Sequence, residues 1–167
     1  MPDLLAIDVA ILPPPDVRHL AIRLNTALPE ADFEGLRLDE GHLPHVTLTQ
    51  QFVRAGDLDR LVGRLDLVLR GQPPLSLRVT GGEKTHASTV WMAIARTDAL
   101  AALHERLMEA LREFEQAGGG PGAFVDGDAR LADVTWVTGY RPKSSFLAYT
   151  PHITLGHAGE PPRIEPF

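Results

Sequence analysis

Pro151-His152-Ile153-Thr154-Leu155 repeats, with Ile for Val, a stretch met much earlier in the chain, Pro44-His45-Val46-Thr47-Leu48. The two histidines lie more than a hundred residues apart, so no local structure forces the likeness. Each copy reads as a strand. Side chains alternate between faces, so His45 and Thr47 share one side and Val46 and Leu48 the other; His152 and Thr154 likewise oppose Ile153 and Leu155. Branched residues suit the pleat, and a leading proline suits a strand's first position, where the missing N–H costs least. Each copy therefore anchors an apolar face in a core and presents an imidazole beside a hydroxyl.

A single His-x-Thr is a common tripeptide and by itself reads as a half-buried strand with polar residues toward water. Two copies change the chemistry on offer. Imidazole titrates near neutral pH. Two of them facing one group can divide proton transfer, one accepting while the other donates. Two adjacent hydroxyls can hold the oxygens of an anion between them. That constellation suits in-line attack at phosphorus.

The paired motif resembles the signature of the 2H phosphoesterase superfamily, the group of 2′-5′ RNA ligase-like and RNA 2′,3′-cyclic phosphodiesterase proteins. The likeness extends to an N-terminal strand running into Leu12-Pro13-Pro14-Pro15-Asp16-Val17 and a helix, and to a later strand, Val90-Trp91-Met92-Ala93-Ile94-Ala95, followed by a helix. It covers the chain except for a longer stretch at 117–149. The resemblance implies an α+β fold: two pseudo-symmetric lobes of antiparallel sheet, outer helices, and a central cleft carrying the two H-x-T motifs. It implies His45 as acid and His152 as base, with Thr47 and Thr154 on the phosphoryl oxygens. Relatives carry an arginine at the position of His157; here a protonated His157, or Arg141 or Lys143, would supply that charge. The expected activity is metal-independent hydrolysis of a 2′,3′-cyclic phosphate on a nucleotide or RNA 3′-end, with 2′-5′ ligation as its reverse. A nucleotide- or RNA-end-binding protein without turnover is the alternative, motivated by Gln50, Gln51 and His157. A two-histidine metal site is disfavoured, because neither motif has a carboxylate at ligand spacing and threonine is a poor ligand.

Composition limits the partners. At 167 residues and 44% hydrophobic, the chain is expected to form one domain with a core of Leu, Val, Ile and Ala. Without cysteines it has neither disulfides nor thiolate zinc sites. No signal peptide or membrane span is apparent, and a cytoplasmic monomer is expected. Lys and Arg total 16 against 22 acidic residues, a net charge of −6. An acidic surface repels a long polyanion, so no extended nucleic-acid groove is expected. No cofactor fingerprint is present.

Apolar spacing predicts strands at 4–12, 45–53, 75–80, 89–95 and 134–137, with a short one at 36–38. It predicts helices over 17–28, 58–69 and 100–114. Asp16, Asp57 and Asp98 are placed at helix starts. The segment 81–86 reads as a polar loop whose Lys84 or His86 is a lesser phosphate-binding candidate. His42 reads as a loop residue and His104 as lying at the edge of the apolar stripe of its helix. The segment 117–149 is expected to be an extended loop region, with Arg141 and Lys143 in a cationic loop flanked by Trp136, Tyr140 and Phe146, three possible stacking surfaces for a base. The proline-rich 159–167 is expected to be a tail outside the core.

Overall fold

The computed structural model describes residues 3–29, 37–85, 88–125, 127 and 129–167. Its elements run β1 (Leu4–Ile11), α1 (Pro15–Thr26), β2 (Val46–Arg54), α2 (Leu58–Leu69), β3 (Val79–Lys84), β4 (Thr89–Ile94), α3 (Asp98–Ala110), α4 (Leu131–Ser144) and β5 (His152–His157). The fold is α+β. β1 lies beside β2, and a second sheet has the order β3-β4-β5, antiparallel throughout. Among the described residues no helix is long and apolar enough to cross a membrane.

The chain divides into two compact units, as the expectation of two lobes requires. The first comprises Met1–Val9, Leu48–Leu75 and Asp98–Tyr149; the second comprises Ala10–Thr47, Ser76–Thr97 and Thr150–Phe167. In the first unit β1 buries apolar side chains from both of its faces. Leu5, Ile7 and Val9 pack against a core of Val53, Leu61, Leu111 and Phe114. Leu4 and Ala6 pack against Phe52, Ala123 and Val137. In the second unit Val90, Met92, Ile153 and Leu155 are at most 1% exposed and form the covered face of the three-stranded sheet. α1 packs on β5 there. Asn25, fully buried, donates to the Leu155 carbonyl at 2.7 Å and accepts from the Leu38 N–H at 2.9 Å. One amide thereby ties the helix to the strand and to the chain ahead of the first motif.

Several expectations are corrected. The segment 134–137 is helical, not a strand, and 117–149 is not an extended loop, since α4 occupies much of it. Val134, Thr135 and Val137 are good strand formers, but Val134 and Val137 sit at helical spacing and reach the same core. Asp133 closes the helix start by accepting from the Arg130 N–H at 3.1 Å, and Pro142 lies inside the last turns. The strand expected at 75–80 begins only at Val79 and runs through Gly81 and Gly82, which were read as loop. Its glycines answer a steric need: a Cβ on Gly82 would lie 2.1 Å from the Pro162 carbonyl oxygen. The 159–167 segment is therefore no detached tail. Phe167 and Val79 exchange both backbone hydrogen bonds, at 2.8 and 3.1 Å, along the β3 edge. Arg37 and Leu38 form no strand, while Leu36 and His86 lie outside the described residues.

Candidate active site

The geometry of each motif starts with its proline. A residue preceding proline is pushed to extended backbone, and here those residues are Leu43 and Thr150. Their carbonyls accept hydrogen bonds from the imidazoles two positions on: His45 Nδ1 to Leu43 at 2.8 Å, and His152 Nδ1 to Thr150 at 2.7 Å. A carbonyl only accepts, so the proton sits on Nδ1 in both rings, and in the neutral form each Nε2 carries the lone pair. The repeat thus encodes the same tautomer twice. His45, Thr47, His152 and Thr154 all belong to the second unit.

The environment of His152 shifts its titration. Burial lowers the pKa of His152 below the ordinary imidazole range. The hydrogen bond to Thr150 opposes this, the charge of His45 adds to it, and Glu83 opposes it. The balance favours a neutral ring. His152 and His45 are half-buried, as is Thr47, and Thr154 is exposed.

His152 opens β5 opposite Ala93, and Thr154 lies opposite Trp91. The register then slips: Gly156 pairs with Val90 and His157 with Thr89, leaving Leu155 as an extra residue. In an unbroken strand His157 would face away from His152 and Thr154. The bulge turns it back, so that Thr89, Trp91 and Ala93 share their face with His152, Thr154 and His157. Gly156, at φ 129°, supplies the backbone that the bulge needs. The one advance sign of it is a glycine directly after the second motif.

Trp91 is a site residue that the pattern of the chain did not single out. Its ring lies 4.8 Å from that of His152, at an interplanar angle of 35°. Glu83 is its partner across β3 and β4. Alternation between the buried Val90 and Met92 marks Trp91 as pointing to the opposite face, but nothing in one strand says which histidine it will meet.

Arg141 and Lys143 belong to the first unit, which holds neither paired histidine. The Arg141 guanidinium binds Glu115, donates to the Met108 carbonyl at 2.7 Å, and lies 3.8 Å from Glu109. Its charge is engaged in fastening α4 to the end of α3. Lys143 lines a surface pocket of about 440 Å³ with Leu131, Thr135 and Trp136, and neither His45 nor His152 is among its lining residues. Tyr140 is buried, and Trp136 is half exposed and donates to Gln50 Oε1 at 2.6 Å. Gln50 in turn donates to Asp8 at 2.7 Å, and Gln51 donates to the Leu111 carbonyl at 3.0 Å. Lys84 donates to the Gly159 carbonyl, and His42 sits in a turn with Asp39.

His104 differs from its expected place at the edge of the helix's apolar stripe: it is fully buried. Its Nδ1 donates to the Leu48 carbonyl at 2.6 Å, its Nε2 accepts the Phe146 N–H at 2.9 Å, and it stacks on Tyr149 at 3.9 Å. Leu48 ends the first motif, and Tyr149 stands two residues ahead of the second. A family model described as the 2′-5′ RNA ligase superfamily matches residues 13–167. No curated protein matches the chain.

Proposed function

The chain belongs to the 2′-5′ RNA ligase superfamily, which is the 2H phosphoesterase superfamily, and from that premise we propose that it is a metal-independent phosphodiesterase opening 2′,3′-cyclic phosphates on nucleotides or RNA 3′-ends. The observation that carries this reading is the matched anchoring of His45 and His152 in one compact unit, with the charge of His45 acting on His152.

In the proposed reaction His152 is the base. Its lowered pKa keeps it neutral where an ordinary imidazole is half protonated, and Nε2 takes a proton from water as the water oxygen bonds to phosphorus. The bond from phosphorus to one ribose oxygen breaks, and His45 gives that oxygen its proton. His152 ends protonated and His45 neutral, and exchange with solvent resets both. The hydroxyls of Thr47 and Thr154 donate to the non-bridging oxygens, where charge builds. His157, when protonated, adds a cation on the same face as Thr154. Reversal of these steps joins a 2′-phosphate end to a hydroxyl.

The test is a panel of 2′,3′-cyclic nucleotides and 2′-5′-linked dinucleotides, followed by phosphorus NMR with chelator present throughout. The reading expects the cyclic signal to be replaced by a monoester on the 2′ oxygen. Tight binding with no product after long incubation would instead make this a binding protein.

A further inference from the structure

We propose that Trp91 is a positioning residue for His152: its indole face sets the plane of the imidazole and so the direction in which Nε2 points. The proposal rests on the role given to His152 above and adds a residue to it.

A hydrogen bond to Nδ1 fixes one edge of an imidazole but leaves the ring free to tip about that contact. A second constraint, on the ring's face, is needed to aim the far nitrogen. In His152 the edge is held by the Thr150 carbonyl at 2.7 Å. The face is met by Trp91, 4.8 Å away between ring centres and tilted by 35°. Trp91 lies in β4, the middle strand, paired on one side to Glu83 and on the other to Thr154. Its neighbours Val90 and Met92 are fully buried and hold the strand from below. Sites built on such elements are held more closely than sites on loops.

The indole is placed by packing alone. Its N–H is shut from solvent and has no acceptor among the described residues. A buried donor without a partner costs stability, so phenylalanine at this position removes a cost while keeping an aromatic face. That separates a positioning role from a structural one. The charged and titratable groups on this face of the sheet are Glu83 and His157, and the charge of His45 also acts on His152; none of them needs to change for the test.

The experiment compares Trp91→Phe and Trp91→Leu in the full chain. It reads thermal melting, the NMR titration of the His152 ring, and kcat and KM on a 2′,3′-cyclic nucleotide. Trp91→Phe should melt at or above the parent temperature and keep the parent titration. Trp91→Leu should move the His152 titration toward that of an ordinary imidazole and lower kcat about 10- to 100-fold, with KM within about 3-fold. A folded Trp91→Leu protein with unchanged His152 titration and unchanged kcat would overturn the proposal. So would a rise in KM alone, which would make Trp91 a binding surface. If the parent turns over no cyclic phosphate, the titration still decides the role of Trp91 separately from the reaction.

Discussion

His152 is the residue whose environment has the most direct consequence. Burial lowers its pKa, and His45 adds to the effect. For catalysis, a base must be neutral, so the acidic limb of kcat/KM should fall below about 6.5, the ordinary imidazole value. His45→Asn removes one charge that disfavours protonation, and the His152 titration, followed by NMR, should then move upward. For stability the sign follows from proton binding. Between the two pKa values the unfolded chain binds the proton more readily than the folded one. The contribution of this ring is therefore present above about 6.5 and is lost as pH falls toward the folded value. Denaturation midpoints measured across that window should drop on the acid side. A His152 titration at or above the ordinary value would contradict this picture. The two candidate histidines and two candidate threonines stand out in the sequence because they recur in nearly the same company. Trp91 does not, since its partner is set by strand register rather than by spacing.

At the scale of elements, the bulge in β5 sets the face that His157 shares with Thr154, and the His104 contacts tie Leu48 to the turn at Phe146 within the first unit. Gly156 sits at φ 129°, and a Cβ there would lie 3.0 Å from Leu28 Cδ1. Gly156→Ala should cost about 1–3 kcal/mol in urea denaturation. Where the strand relaxes to regular pairing, His157 leaves the face it shares with Thr154, and KM should rise. His104→Ala removes the donor to the Leu48 carbonyl and the acceptor of the Phe146 N–H and leaves a cavity. The expected loss is about 2–5 kcal/mol by chemical denaturation. A loss under about 1 kcal/mol would show that the ring does not tie these segments. Helices α1, α2 and α3 were legible from apolar periodicity because each lays one stripe on a core. α4 was not. Its branched residues favour strands in isolation, and burial against Phe52 and Ala123 overrides that preference. The bulge was hidden for a related reason: period-two reading assumes unbroken register, and one extra residue reverses every later side chain.

For the molecule as a whole, the charge of −6 sets the kind of ligand that suits it. In the proposed reading two threonines and His157 grip one phosphate, while an acidic surface offers little to a long backbone. A cyclic-phosphate-ended dinucleotide and a ten-nucleotide RNA with the same end should bind within about 3-fold of each other. The slope of log affinity against log salt should be shallow, about −1 or less in size, as one or two phosphate contacts require. A slope several times steeper would reveal an extended groove. The α+β class and the family were legible from one repeated pentapeptide. The placement of Arg141 was not, because an arginine next to hydroxyls reads the same whether it meets a phosphate or, as here, Glu115 and a carbonyl. The 159–167 segment was misread on composition, since proline-rich chain can still pair at its end, as Phe167 does with Val79.

The central claim is that two imidazoles share one proton-transfer reaction. It is tested most directly by the hydrolysis rate of a 2′,3′-cyclic nucleotide with the parent chain, His45→Ala, His152→Ala and the double variant, each shown to be folded by its melting curve. Each single variant should lose about 10²- to 10⁴-fold, and the double variant should lose far less than the product of the two, as groups acting in one step do. Near-parent hydrolysis by either folded single variant would contradict the account.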